Sequence, residues 1–375
     1  ADDTSNTPTA GDDKLIGNDD VNAFTALAGN DEIRGFGGND QLLGGDGNDL
    51  IYGGDGDDYI DPGNGDDTVY GNAGNDTIIL SPGDDIEDGG EGNDTISFSP
   101  GQTARPMTFN LETGKYYVTD QLTSLTKNLI SIENITSEGA TDLTIYDTNG
   151  VNVINTSSGN DTIHSKGGND TINTGAGNDT VYLGNGKYTV DLGAGDDKVY
   201  LNTKPGSING NTGTDEAIVR AFDGFVDVKV DLQFNTYSVP SKLSPQDGME
   251  LPLLNFEKVT IDGNVTATIL GSAAGDVLVG DAGSDTITGR GGADTLTGGS
   301  RTDKFVFQSG DTGITEATAD TITDFATGTD KIDIDAPGTY VEADGTATAD
   351  FAAFITAADA SLTTASDDIY SQYNF

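Results

Sequence analysis

The residues best suited to chemistry in this 375-residue chain are carboxylates set among glycines at a fixed interval. Counting in steps of nine gives Asp31, Asp40, Asp49, Asp58, Asp67, Asp76, Asp85 and Asp94 without a break. The template is clearest where Gly44-Gly45-Asp46-Gly47-Asn48-Asp49 runs directly into Gly53-Gly54-Asp55-Gly56-Asp57-Asp58, and again at Gly89-Gly90-Glu91-Gly92-Asn93-Asp94. A second array keeps the interval through Asp161, Asp170, Asp179 and Asp197, with Tyr188 standing where another aspartate belongs. A third holds Asp276, Asp285, Asp294 and Asp303, and its last glycines are degraded, with Arg301 at a glycine position. Glycine reaches φ > 0, so such turns bring backbone carbonyls close to an ion. Carboxylate and carbonyl oxygens are hard ligands, and six to eight of them at flexible spacing suit Ca²⁺; Mg²⁺ asks for a stricter octahedron, and zinc or copper for histidine or cysteine. The chain has one histidine, His164, and no cysteine, so thiolate, disulfide and His-based chemistry fall away together. The same shortage argues against a Ser-His-Asp or Cys-His nucleophile. His164 follows an inward-facing isoleucine and is expected to point to solvent. The paired carboxylates that a glycosidase would need are already explained by the nine-residue register.

The elements that must hold these aspartates follow from the position two residues later, which is apolar. It carries Leu15, Phe24, Ile33, Leu42, Ile51, Ile60, Val69, Ile78 and Ile96, with Glu87 as the exception. The second array has Ile145, Ile154, Ile163, Ile172, Val181, Val190, Val199 and Ile208, and the third Ile269, Leu278, Ile287, Leu296 and Phe305. A glycine-rich turn followed by a short β-prone run with one apolar residue is one unit of a solenoid. These nonapeptides, Gly-Gly-x-Gly-x-Asp-x-apolar-x, resemble the RTX repeats of secreted bacterial toxins, proteases, lipases, epimerases and surface-layer proteins. The resemblance implies an all-β fold, a parallel β-roll (a right-handed β-solenoid) with calcium-binding turns and a C-terminal cap. In it, six residues form a metal-binding turn and three a strand, two repeats make one coil, and aspartates two repeats apart stack along one edge. It further implies that the aspartates named above bind several Ca²⁺ ions together with carbonyls of the turns, including those formed by Gly44, Gly45, Gly47, Gly53, Gly54, Gly56, Gly89, Gly90 and Gly92.

Net charge explains why an ion is needed. The chain has 63 acidic and 17 basic residues, a formal charge of −46. Carboxylates stacked at one strand spacing, about 5 Å, repel by roughly 3 kcal/mol per neighbouring pair at an effective dielectric near 20. One leucine-sized side chain buried per repeat does not offset the backbone entropy of ordering nine residues. Calcium removes the repulsion and supplies the missing free energy, so folding is expected to wait for the ion. The same charge excludes nucleic acid as a partner. No apolar run is long enough to span a membrane, so no membrane insertion is expected. Residues 1–20 lack the pattern of a signal peptide, and the chain reads as a processed form or fragment.

The periodicity divides the chain into an array at 1–97, a strand-rich insert at 98–142, an array at 143–209, a second insert at 210–268, an array at 269–307 and a C-terminal cap or secretion-type region at 308–375. The two inserts resemble each other: Ile132-Glu133-Asn134-Ile135-Thr136 parallels Phe256-Glu257-Lys258-Val259-Thr260. Each is expected to project a loop, one around Tyr116-Tyr117 and one from Pro240 to Pro252, suited to partner contacts. Residues 320–333 are similar to the segment that closes the roll in serralysin-type proteases, and Asp350 is placed to cap a short helix burying Phe351, Phe354, Ile355 and Ala358. The expectation is a non-enzymatic, extracellular protein that calcium folds and assembles with itself at the cell surface, as a surface-layer subunit or adhesin component. Cell-surface polysaccharide and, by resemblance, a type I secretion apparatus are its expected partners. The alternatives are the C-terminal RTX module of a larger type I secreted enzyme or toxin, and a carbohydrate-active β-helix.

Overall fold

The computed structural model describes residues 7–98, 106–119, 124–201, 206–220, 227–238, 251–308, 320–326 and 328–335. The expected helix after Asp350 and most of the loop from Pro240 lie outside them. Every regular element among the described residues is a β-strand. Among the described residues no helix is long and apolar enough to cross a membrane. The chain forms two compact units, residues 1–194 and 195–375.

In the first unit the apolar position sets the register. Leu15, Ile33, Ile51, Val69 and Glu87 pair in sequence along one parallel sheet. Phe24, Leu42, Ile60, Ile78 and Ile96 pair along the other. Like thus stacks on like two repeats apart, and Ile33, Leu42, Ile51, Ile60, Val69, Ile78 and Ile96 are fully buried. β-branched side chains suit this pleated, half-buried surface. The all-β parallel β-roll is therefore the fold.

Strand length separates the two arrays. In the second array the strands have two to four residues, as in Thr162–His164 and Thr180–Tyr182. In the first most have six, as in Leu50–Asp55. The ladder there continues into the turn, pairing Phe36 with Gly54 and Gly37 with Asp55. Gly45 meets the turn's demand at φ 111°, but Leu27 and Phe36 hold the equivalent position at φ 84° and 80°, with their side chains half exposed. Such a backbone is strained for any residue with a Cβ.

The inserts join the sheets instead of standing apart. Ser124–Ile130 pairs parallel to Ile86–Glu91, then antiparallel to Lys115–Thr119, which pairs antiparallel to Met107–Asn110; that last strand pairs parallel to Leu143–Tyr146. Tyr116 and Tyr117 are therefore in a strand, not a projecting loop. Tyr116 is buried with its ring stacked on Phe109 at 5.5 Å, since alternation turns it inward. The second unit repeats the arrangement with Leu251–Leu254, Thr236–Ser238 and Val228–Asp231 between Ser207–Asn209 and Ala267–Leu270. Pro252 lies in a strand there, opposite Thr236.

Candidate metal centre: the aspartate ladders

Stacking coils brings each sixth-position aspartate beneath the backbone of the previous coil. Asp49 Oδ1 accepts the Asp31 N–H at 2.8 Å, Asp67 Oδ1 that of Asp49 at 2.8 Å, and Asp85 Oδ1 that of Asp67 at 3.0 Å. Along the opposite edge Asp58 accepts from Asp40, Asp76 from Asp58 and Asp94 from Asp76, each at 2.8 Å. The fifth position runs the other way: Asn48 donates its N–H to Asn30 Oδ1, and Asp66 to Asn48 Oδ1. One column of side chains therefore caps the coil before it and the other the coil after it. The sixth-position column is buried, the fifth exposed.

The second carboxylate oxygen decides what the sixth position is for. Oδ2 of Asp31, Asp40, Asp49, Asp58, Asp67, Asp76 and Asp94 is buried and accepts no hydrogen bond. A buried carboxylate oxygen left in this state carries a large desolvation cost. Those of Asp40, Asp49, Asp58, Asp76 and Asp94 face a cradle kept open by glycine, whereas Ala26 and Pro62 hold the equivalent position before Asp31 and Asp67. A Cβ on Gly53 would overlap Asp58 Oδ2 and the Gly71 carbonyl oxygen; on Gly44 it would overlap Asp49 Oδ2 and the Pro62 carbonyl; on Gly71, Asp76 Oδ2 and the Gly89 carbonyl. The space holds one carboxylate oxygen and main-chain carbonyls, a hard-oxygen donor set that fits calcium. No group of three or more His, Cys, Asp or Glu side chains converges among the described residues, so carbonyls must supply most of the ligands. Burial pushes Asp49 and Asp58 up to about 6 and Asp67 and Asp76 up to about 7, against the opposing pull of the N–H bonds. A cation in the cradle would favour the charged form and bring these carboxyls back down.

Several expected ligands are already engaged. Lys127, from the first insert, puts its buried ammonium 3.3 Å from Asp85 Oδ2 and 3.1 Å from the Ser81 carbonyl. The glycine of that cradle is replaced by buried Leu80. Glu87, inward-facing and fully buried beside this pair, is pushed up to about 8 by burial and by Asp85, with Lys127 opposing. In the second array Ser165 donates to Asp170 Oδ2 at 2.8 Å. In the third, Ser272 donates its hydroxyl and Asp281 its N–H to the Oδ2 of Asp276 and Asp285. Asp161 Oδ2 in the second array and Asp303 Oδ2 in the third, the latter beside Gly298, are buried without a hydrogen bond like those of the first array. Asp179, Asp197 and Asp294 belong to the same ladder type: Asp179 Oδ1 accepts the Asp161 N–H, Asp197 donates its N–H to Asp215 Oδ1, and Asp294 Oδ1 accepts the Asp276 N–H.

Other members were missed in the sequence. Asp13 donates to Asp31, and Asp215 has a buried orphan Oδ2 and is pushed up to about 6 by burial. Asp320 and Asp330 accept from Asp294 and Asp303 across wider spacings. Glu133 and Glu257 accept the N–H of Asp94 and Asp215 at 2.9 Å, taking the aspartate's place where each insert enters the ladder. The signal was available as an acid two residues before an apolar residue, repeated in both inserts. His164 does point away from the core, but it is not freely exposed: its ring lies between Tyr146 and Tyr182 at 4.5 and 4.6 Å, and the partial burial lowers its basicity.

The profile of the RTX calcium-binding nonapeptide repeat (4 copies) matches residues 9–33, 34–69, 61–96, 146–181, 155–190, 164–199 and 270–303. No curated protein matches the chain.

Proposed function

This chain is an RTX repeat protein that binds calcium, and on that premise we propose that it is a secreted, non-catalytic structural component that folds on meeting extracellular calcium and then associates with copies of itself at the cell surface, in a surface layer or an adhesin. The observation that carries this reading is the column of buried, unbonded carboxylate oxygens facing glycine cradles. At cytosolic calcium these oxygens oppose folding; outside the cell the ion makes them the reason the coils stack. Self-association draws on the charge. With −46 on the bare chain, copies repel. Calcium lowers that charge, and the exposed fifth-position carboxylates, such as Asp57 and Asp66, are regularly spaced acceptors for bridging ions.

Circular dichroism and light scattering during a calcium titration test both steps. The expected result is an unfolded spectrum in EGTA, then folding, then growth of scattering through the millimolar range. A folded spectrum in EGTA would remove the calcium trigger. A folded species that stays monomeric would favour a second reading, a calcium-triggered module of a larger secreted enzyme or toxin. That reading draws on the last strands, Thr321–Ile322 and Lys331–Asp335, which close the ladders at a widened spacing.

A further inference from the structure

The two sheets of the first unit end differently at their N-terminal edges. Beside Lys14–Ile16 the roll is closed: Thr9 gives its N–H to Asp13 Oδ2 at 2.6 Å and its hydroxyl to Asp13 Oδ1 at 3.0 Å, and Leu15, the first member of that core column, is fully buried. In the other sheet the first strand, Ala23–Ala28, pairs only with Gln41–Asp46 among the described residues. Phe24 begins that core column and is partly exposed, whereas Leu42, Ile60, Ile78 and Ile96 behind it are fully buried. Val21 is 72% exposed and Leu27 52%. Leu27 holds φ 84° where the next coil has Gly45 at φ 111°, so an apolar side chain is kept on the surface at a backbone cost that glycine would avoid. The edge is also uncharged. Residues 21–28 hold no acid or base, while the same stretch of the next two coils holds Asp40 and Asp46, then Asp57, Asp58 and Asp61. Even the sixth-position acid is replaced, by Asn22, whose amide oxygen accepts the Asn18 N–H at 2.8 Å.

We propose that residues 21–28 are the interface through which one copy of this chain pairs with a second, strand edge to strand edge. This rests on the self-association reading and deepens it by naming a surface that works without a bridging ion. An open strand edge offers a row of N–H and C=O groups, and one that lacks charge and proline invites another strand. The occupant follows from charge. A chain at −46 repels its copies across the acidic turns, and at this strand two copies meet with no charged side chain on either side. A two-fold axis normal to the sheet sets the two strands antiparallel, so each supplies the donors and acceptors that the other needs. Alternation then keeps Ala23, Thr25 and Leu27 of both copies on the outer face. It puts Phe24 of both on the inner face, where each covers the open end of the other's core column.

Sedimentation velocity of the full chain in saturating calcium, with hydrogen–deuterium exchange on the same samples, tests the interface. The wild type is expected to form a dimer as its first associated species, with the amides of 23–28 exchanging fast in the monomer and slowly in the dimer. Thr25→Lys, on the exposed face of the strand, places like charges on the two edges and should weaken the dimer roughly tenfold or more. Leu27→Gly separates the interface from the fold: with the strain at φ 84° relieved, the thermal midpoint should hold or rise while the dimer weakens. Asp57→Asn combined with Asp66→Asn removes two of the exposed fifth-position carboxylates and should leave the dimer constant where it is. Edge variants that pair as tightly as the wild type overturn this interface and leave self-association standing. A wild type that stays monomeric overturns both, and if its 23–28 amides are already protected, a segment of the same chain is the occupant.

Discussion

The two arrays of the first unit share a nine-residue period, a buried apolar column and an aspartate ladder, yet they close their turns by different chemistry. Residues 31–97 keep glycine in the turn and leave a carboxylate oxygen and carbonyls facing an open cradle. Residues 152–192 put threonine, serine or leucine there and close the turn with covalently attached atoms. The contrast teaches that in such a roll the first residue of the repeat, more than the aspartate, sets how much of the turn is filled by the chain's own atoms. The aspartate's Oδ1 caps the previous coil in both arrays; Oδ2 is bonded at Asp170 but unbonded at Asp161 as at Asp58, and the constant difference is the side chain at the first position with the carbonyl it meets. Between the arrays Asp85 shows a third solution, an ammonium delivered by Lys127 from a neighbouring strand.

Breaking that third solution should have the largest effect. Lys127→Met leaves Asp85 without its buried cation next to Glu87, and loss of one partner of a buried pair costs about 3–5 kcal/mol; chemical denaturation in saturating calcium reads it. If stability is unchanged, Lys127 does not stand in for the ion. Next comes the graft of a plug into the calcium-dependent array. Gly53→Thr forces a side chain against Asp58 Oδ2 and the Gly71 carbonyl, and is expected to lose calcium at that coil by no less than the roughly tenfold that disturbing an outer partner of a metal costs. Isothermal titration would count the missing ion. The reverse change, Thr174→Ala, should cost about 1 kcal/mol, the value of one internal hydrogen bond, with no change in the calcium midpoint.

Acidification sharpens the comparison through the raised carboxyls. Asp49, Asp58, Asp67 and Asp76 sit at about 6 to 7 in the metal-free fold, above the roughly 3.9 of an unfolded chain. A group raised in the folded state contributes stability that is fully present below the unfolded value and lost as pH rises through the folded one. The metal-free first array should therefore gain structure near pH 4 and lose it between about 6 and 7, while its calcium affinity rises over that same interval as the protons leave. A far-ultraviolet spectrum in EGTA that does not respond to pH would contradict this. The smallest effect on calcium binding is expected at His164→Ala, which removes two ring contacts worth about 0.5–1.5 kcal/mol each and should lower the thermal midpoint while leaving the calcium midpoint where it is.

By itself the sequence determined the architecture and the metal. A nine-step run of aspartates with an apolar residue two positions on can stack in only one register, because a slip by one residue would turn every isoleucine outward and every neighbour in. Hard oxygens without cysteine leave calcium as the ion. Tertiary structure decided what meets each aspartate's second oxygen: Oδ2 of Asp170 accepts the Ser165 hydroxyl from the same turn, whereas Oδ2 of Asp58 faces an open cradle beside Gly53. It decided that Tyr116 is core and that Glu133 and Glu257 carry the ladder past the inserts. The two glutamate contacts join residues 39 and 42 positions apart, set by strand pairing, and a local reading of the repeat has no access to them.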